Sequence, residues 1–273
     1  MHGMPDTGKI AAAFHKSACE YDHHVLVQKR VVAQVARSVR QHLNRPPEQI
    51  LDVGAGTGAL LECLHAYYPG SGLTGVDIAS NMCARIRQKL GPVCSAVVGD
   101  AEQLPFGDGT FDLVVSTSVL QWVINLTVAL HELRRVGRPG GDICLAFFCD
   151  GTLGELQSCF RDAAGCCGDR RLSRLHEFRT VDEVKSVMHS LDFERVVMSI
   201  ETEIDWYDDM FALLRSIKNI GAGTVSDRSE NGLGWRGILQ ETSRLYQERY
   251  GQDGRIPATY KVLYLNAHIK KES

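Results

Sequence analysis

The chain has 273 residues, of which 44% are hydrophobic and 23% are charged, a composition typical of an ordinary folded protein. Its formal net charge of −3 gives no bulk attraction to nucleic acid or to an anionic membrane. No stretch reaches the roughly 18 apolar residues that a membrane-spanning helix needs, and the first residues lack a signal-peptide core. We therefore expect a cytoplasmic protein with no nucleic-acid partner and no membrane partner.

The nine cysteines are odd in number and never occur as C-x-x-C, which favours neither a disulfide framework nor a zinc ribbon. A metal cluster of Cys159, Cys166, Cys167 and His176 is conceivable, but metal ligands usually stand at tighter, repeated spacings. We expect reduced thiols and no metal ion.

From residue 49 onward, short apolar runs alternate with amphipathic segments. The runs predict strands at 49–53, 73–77, 95–98, 111–116 and 142–148. The segments between them predict helices over 59–68, over 80–90 with Ser80 as N-cap, and over 125–136 with Gly137 and Pro139 as the stop. Strands that alternate with helices in this way indicate a doubly wound parallel sheet.

The second half of the chain is less regular. Thr180 and Glu183 form a capping-box pattern ahead of a helix that reaches about Ser190. We further predict an extended segment at 193–204, a helix at 210–221, a loop at 222–234 and a late strand at 256–269. One domain with an inserted helical cap accounts for this pattern better than two domains.

The octapeptide LDVGAGTG at 51–58 follows a predicted strand and opens a predicted helix, which is the setting of a nucleotide-binding turn. Glycines let a ligand approach the backbone closely. Gly54, Gly56 and Ala59 also satisfy the dinucleotide pattern G-x-G-x-x-G/A. A dinucleotide, an S-adenosyl cofactor and a turn without ligand are the alternatives at this point.

Gly58 completes a G-x-G-x-G pattern with Asp52 just ahead of it, and LDVGAGTG resembles the first motif of class I S-adenosylmethionine-dependent methyltransferases. GDAEQLPFGDGTFDLV at 99–114 and HELRRVGRPGGDICLAF at 131–147 resemble two later segments of that family, in the same order. The resemblance implies a Rossmann-like, seven-stranded, mostly parallel sheet with helices on both faces, and S-adenosylmethionine as the cofactor.

The resemblance also assigns cofactor contacts. Asp52 would hold the ammonium group of the methionine moiety, Asp77 both ribose hydroxyls, and Asp100 the adenine amino group, with the Ala101 N–H directed at the ring. The other expected cofactor-binding residues are Tyr21, Gln28, Gly54, Gly56, Gly58, Ile78, Ser116 and Gln121.

The flanking segments resemble the malonyl-[acyl-carrier protein] O-methyltransferases of biotin synthesis. An N-terminal segment carries Phe14, Ala18 and Tyr21 at helical spacings, and IKNIGA at 217–222 and LQW at 120–122 match further family motifs. The resemblance spans residues 9 to about 268. It implies a single domain over 1–273, with N-terminal lid helices at 9–48, a cofactor-binding core at 49–150, and cap helices and final strands at 151–273.

The implied reaction methylates the free carboxylate of a malonyl thioester on acyl-carrier protein or coenzyme A, giving the ester that primes pimeloyl and biotin synthesis. A carboxylate with a pKa near 4 is already ionised at pH 7, so it needs no general base. A bidentate arginine suits its binding, with Arg174, Arg179 and Arg215 as candidates. The expected catalytic residues are Tyr21, Trp122, Arg174 and Arg179.

Two other functions are compatible with the same motifs. One is a class I methyltransferase that acts on a different small O, N or C acceptor, and the other is a non-catalytic cofactor-binding subunit. A basic cluster that includes Arg161, Arg170 and Arg171 fits an acidic carrier protein, but it could equally be a solvated face.

Overall fold

The computed structural model describes residues 26–43, 45–166, 177–219 and 233–271. Within these ranges seven strands form one sheet in the order β3-β2-β1-β4-β5-β7-β6. Neighbours among β1 to β5 are parallel, whereas β7 is antiparallel to both β5 and β6. The strands are β1 (Gln49–Val53), β2 (Gly72–Asp77), β3 (Cys94–Val98), β4 (Phe111–Thr117), β5 (Gly137–Phe148), β6 (Phe193–Tyr207) and β7 (Ile256–Ile269). The predicted seven-stranded, mostly parallel sheet is confirmed.

The described ranges also contain eight α-helices and two short 3₁₀ turns, Gly91–Val93 and Leu120–Trp122. The helices are α1 (Leu26–His42), α2 (Ala59–Tyr67), α3 (Ser80–Leu90), α4 (Leu126–Val136), α5 (Gly154–Cys166), α6 (Val181–Ser190), α7 (Met210–Asn219) and α8 (Leu233–Tyr250). In these ranges, no helix is long and apolar enough to cross a bilayer.

Helices cover both faces of the sheet. On one face, buried residues of α1, α2, α3, α5, α7 and α8 pack into a single apolar cluster. On the other face, the cluster is built by α4 and α6. β1 is buried between the two clusters, since Ile50 belongs to the first and Leu51 to the second. Apolar residues that face both clusters are typical of a central strand.

The chain order of the strands reverses at β1. After β1 the chain builds β2 and β3 on one side and then crosses to β4 on the other side. Ligands of open α/β sheets bind outside the carboxyl ends of the strands at such a switch point. The carboxyl ends of β1 and β4 therefore mark the place to look for a site.

Two sequence predictions about element ends are wrong. Ser80 is not the N-cap of α3; the N-cap is Ala79, whose N–H is bound by the Asp77 side chain, so Ser80 is already helical. Strand β5 begins at Gly137 rather than at residue 142, because Gly137 pairs with Phe111 across a register shift in β4. Pro139 therefore lies within an irregular strand end.

The capping box at Thr180 and Glu183 is confirmed: each side chain binds the other's backbone N–H. Helix α8 was not predicted, because Thr242 interrupts its apolar stripe. The Thr242 side chain is fully buried between Ile238 and Tyr246, and its hydroxyl donates to the Ile238 carbonyl at 2.7 Å. The 222–234 loop and the end of the 210–221 helix fall largely outside the described residues.

Candidate active site

The turn between β1 and α2 needs glycine for two separate reasons. Gly54 and Gly56 have φ values of +70° and +53°, in the left-handed region where side chains are strained. A Cβ on Gly54 would also lie 2.1 Å from Cγ2 of Val119, in the loop after β4. A Cβ on Gly56 would meet no atom within 4 Å. Gly54 therefore permits close packing of two loops, while Gly56 borders open space.

The turn is fixed to the end of β2. The N–H groups of Gly54 and Ala55 both donate to the Val76 carbonyl, at 2.7 and 3.0 Å. Gly58, the N-cap of α2, packs towards α3, because a Cβ there would lie 3.3 Å from Ile86. Gly58 is not among the residues that line the cleft described next, and its expected cofactor contact stays a prediction.

A cleft opens at the carboxyl ends of β1, β2 and β4, with about 740 Å³ of empty space including its mouth. Its walls come from the glycine turn, the end of β2, the segment after β3 and the loop after β4. The lining residues are Val53, Gly54, Gly56, Asp77, Ile78, Met82, Gly99, Asp100, Ala101, Glu102, Thr117, Ser118, Val119, Trp122 and Val123.

Asp77 ends β2 and presents a fixed carboxylate to the cleft. Its Oδ2 accepts the Gly56 N–H and its Oδ1 accepts the Ala79 N–H, both at 2.9 Å. Burial raises the pKa of Asp77, although these two hydrogen bonds act in the opposite direction. Each carboxylate oxygen has further acceptor capacity, so Asp77 can bind a pair of neighbouring hydroxyls.

Asp52 lies beneath the glycine turn and not on the cleft wall. It is 1% exposed, and its Oδ1 has no hydrogen-bond partner among the described residues. Burial raises the pKa of Asp52 well above its usual range, and the charge of Asp77 raises it further. A buried carboxylate without a partner is costly. A cationic ligand group above the turn would relieve that cost.

The segment after β3 forms one wall and is tied to the opposite wall. Oδ1 of Asp100 accepts the Glu102 N–H at 2.9 Å, which shapes the turn that carries Ala101. Oε1 of Glu102 accepts the N–H groups of Ile124 and Asn125, at 2.6 and 3.1 Å. Glu102 was not among the expected site residues, because its role depends on a contact 22 residues away.

Ser116 and Gln121 were expected at the cofactor, but the structure places both behind the wall. The Ser116 hydroxyl donates to the Val53 carbonyl at 2.7 Å, which joins the ends of β4 and β1. The Gln121 amide donates to the Ser118 carbonyl at 2.8 Å and accepts the Phe148 N–H at 3.4 Å. Their side chains support the loop after β4 instead of facing the cleft.

Ser118 lines the cleft and was not among the expected site residues. Its φ of +58° is unusual for a residue with a side chain, and its buried hydroxyl has no partner within the described ranges. No local sequence signal marks a serine for this conformation. Two hydrogen bonds hold Ser118 in this conformation. The Gln121 side-chain amide donates to the Ser118 carbonyl, and the Ser118 N–H donates to the Ala146 carbonyl.

Two of the four expected catalytic residues can be placed. Trp122 lines the cleft. Arg179 is half-buried, and its Nη2 donates to the Ile124 carbonyl at 2.9 Å, two residues from Trp122. Tyr21 and Arg174 lie outside the described residues.

The remaining candidates are not among the residues that line the cleft. Gln28 is half-buried in the first turn of α1, and Arg215 is exposed on α7. In the ranges that the structure describes, no group of three His, Cys, Asp or Glu side chains is arranged to hold a metal ion. Cys167 and His176, from the conceivable metal cluster, lie outside those ranges.

Comparisons with known proteins agree with this geometry. Residues 51–145 match a family model described as a methyltransferase domain. The YcgJ protein of Bacillus subtilis has the same fold, with a TM-score of 0.57, 18% identity, and coverage of 88% of this chain and 98% of its own. The fold and the glycine-turn site define a class I methyltransferase.

Two curated relatives identify the family within this class of methyltransferases. The malonyl-[acyl-carrier protein] O-methyltransferase of Geobacter sulfurreducens is 41% identical over 96% of this chain and 98% of its own length. A bifunctional biotin-biosynthesis protein of Teredinibacter turnerae is 30% identical over 94% of this chain and 46% of its own length. The chain belongs to the malonyl-[acyl-carrier protein] O-methyltransferase family.

We predict that Asp77→Asn weakens the binding of S-adenosylhomocysteine by about 10- to 100-fold, because the ribose hydroxyls lose charge-assisted bonds worth roughly 1.5–3 kcal/mol. Isothermal titration calorimetry measures the change. Asp142→Asn is the matched control, since Asp142 pairs with His268 and does not line the cleft. Unchanged affinity in Asp77→Asn would contradict the placement of the ribose.

Proposed function

We propose that this protein transfers a methyl group from S-adenosylmethionine to the free carboxylate of malonyl-acyl-carrier protein, and that the methyl ester primes pimeloyl and biotin synthesis. The observation that carries the proposal is the 41% identity to the Geobacter enzyme over nearly the whole of both chains. The cofactor is S-adenosylmethionine, which supplies an electrophilic methyl group on a sulfonium when it is bound.

The cleft residues fit the parts of this cofactor. Asp77 would accept the ribose hydroxyls, while Asp100 and the Ala101 N–H would contact the adenine. Gly54 and Gly56 would lie against the methionine moiety, and Asp52 below them would balance its ammonium group through water. The acceptor capacity of Asp77, the open space beside Gly56 and the unpartnered Oδ1 of Asp52 support this placement.

The chemistry of the lining favours an acceptor that arrives ionised. Its titratable groups in the described ranges are Asp77, Asp100 and Glu102, and each already accepts backbone N–H groups. No histidine or lysine lines the described part of the cleft. A hydroxyl acceptor would need a base to remove its proton, whereas a malonyl carboxylate is a nucleophile at pH 7 without help.

Alignment and exclusion of water are then the main tasks of the protein. Holding the carboxylate oxygen in line with the methyl group can supply roughly 7–11 kcal/mol of the barrier. Arg179 is the described residue best suited to orient the carboxylate, since its guanidinium is held by the carbonyl of Ile124, which follows Trp122 by two residues in the chain. Its contact should be loose, because full neutralisation would stabilise the ground state more than the transition state.

The remaining residues complete the proposal. Tyr21 would border the transferred methyl group, together with Trp122, and Arg174 would assist Arg179. Gln28 would help to hold the cofactor under the lid. In the proposed single-domain organisation, 9–48 is the lid, 49–150 the core, and 151–273 the cap and final strands.

The direct test is intact-mass spectrometry of malonyl-acyl-carrier protein after incubation with the enzyme and S-adenosylmethionine. We expect the malonyl group to gain one CH₂, which mild ester hydrolysis removes. Acetyl-acyl-carrier protein, which lacks the free carboxylate, is the matched control and should keep its mass. An unchanged malonyl mass with bound cofactor would refute the acceptor, and methylation of the acetyl form would refute the carboxylate as the target.

A second prediction concerns Arg179. Arg179→Lys should lower kcat/KM for malonyl-acyl-carrier protein by about 10- to 100-fold, because a planar fork is replaced by a point charge. Affinity for S-adenosylhomocysteine should not change. Arg195→Lys, at an exposed position of β6, is the control. Equal activity of the two variants would remove Arg179 from the proposed site.

A further inference from the structure

Arg135 on α4 holds the segment between β3 and β4 from behind. Its Nη2 donates to the Leu104 carbonyl at 3.1 Å, and its Nη1 donates to the Phe106 carbonyl at 2.7 Å and to Asp108 at 2.8 Å. Arg135 does not line the cleft. One guanidinium therefore fixes three positions of a loop that has little regular structure of its own.

Glu132, one helical turn earlier on α4, completes this arrangement. It accepts Nε and Nη2 of Arg135 at 2.6 and 2.7 Å, and its Oε2 also accepts the Leu104 N–H at 2.7 Å. The hydrogen bond from Arg135 lowers the pKa of Glu132, so the carboxylate stays charged. Both backbone polar groups of Leu104 are thus bound by the Arg135–Glu132 pair.

The held segment leads directly into the cleft wall. Asp100, Ala101 and Glu102 line the cleft, and Leu104 follows two residues later with its side chain buried. Glu102 attaches the same segment to Ile124 and Asn125 on the opposite wall. The wall is therefore fixed at both ends before a ligand binds, and a segment ordered in advance costs less entropy on binding.

We propose that Arg135 and Glu132 are positioning residues for the adenine end of the cofactor: they hold Asp100 and Ala101 in the geometry that binds it. The inference rests on the proposed placement of adenine at these two residues. It does not depend on the identity of the methyl acceptor.

Arg138, at the start of β5, provides a matched control because it binds the far end of the same segment. Its Nε donates to the Gly109 carbonyl at 3.2 Å and its Nη1 to Asp112 at 3.0 Å, at the start of β4 and away from the cleft lining. Its side chain is 39% exposed, close to the 30% of Arg135. Loss of either guanidinium should cost comparable stability, but only Arg135 supports the cleft wall.

The experiment compares Arg135→Lys with Arg138→Lys in the full chain. Calorimetry gives the dissociation constants of S-adenosylhomocysteine and of adenosine, and thermal unfolding gives Tm. We expect Arg135→Lys to weaken both ligands by a similar factor of about tenfold, because lysine cannot serve all the acceptors of Arg135. For Arg138→Lys, the dissociation constants of both ligands should stay within about twofold of the wild-type values, even if its Tm falls as far as that of Arg135→Lys.

A folded Arg135→Lys variant that binds both ligands like the wild type would overturn the positioning role. If that variant does not fold, Glu132→Gln is measured in the same way, since its amide oxygen still accepts the Leu104 N–H. Asp100→Asn separates the placement of adenine at Asp100 from the positioning role of Arg135. Retained adenosine affinity in Asp100→Asn overturns the adenine placement, whereas loss there without loss in Arg135→Lys overturns only the positioning role.

Discussion

The close contact between the glycine turn and the loop after β4 determines the site. Gly54 can approach Val119 only because it has no side chain, and the same turn binds the end of β2 through the Val76 carbonyl and the Asp77 carboxylate. The ends of β1, β2 and β4 are therefore held together by backbone groups. Three of the four cleft walls extend from these strand ends, and the fourth, the segment after β3, is joined to the end of β2 by the Gly99 N–H, which donates to the Asp77 carbonyl at 3.1 Å. The spacing of the walls is therefore set before any ligand arrives.

The electrostatics of the cleft follow from that backbone. Three carboxylate side chains line the cleft as acceptors, namely Asp77, Asp100 and Glu102, and each is held in place by the backbone N–H groups that it accepts. Asp52 lies below them. Such a lining favours a ligand rich in donors and positive charge. S-adenosylmethionine has ribose hydroxyls, an adenine amino group, an ammonium and a sulfonium. The same lining offers no unengaged base in the described ranges, which suits methyl transfer to an acceptor that is already an anion.

Much of the fold could be predicted because its signals are local. The strand boundaries of β1 and β7, the capping box at Thr180 and the glycine turn each follow from a few adjacent residues. Helix α8 was missed because a buried threonine with a satisfied hydroxyl occupies a core position where an apolar residue would have been the signal. Ser80 was misassigned because the Asp77 side chain, three residues earlier, binds the N–H of the true N-cap.

The site residues at the strand ends could be predicted from the sequence, whereas the residues that hold the cleft walls in place could not. Asp77, Ile78, Asp100, Ala101 and Trp122 were expected at the cleft and line it. Ser116 and Gln121 are adjacent to lining residues in sequence, but side-chain direction, set by hydrogen bonds to distant carbonyls, turns them away. Glu102 and Arg135 act across 22 to 31 residues, and no local pattern reports such contacts.

The central claim is that the acceptor is a carboxylate that needs no base. Its most direct test is the pH dependence of single-turnover methyl transfer to malonyl-acyl-carrier protein, with enzyme and S-adenosylmethionine saturating. A carboxylate with a pKa near 4 should react at a constant rate from about pH 6 to pH 9. A rate that rises with a pKa near neutrality would mean that a base removes a proton from the acceptor, and would contradict the claim.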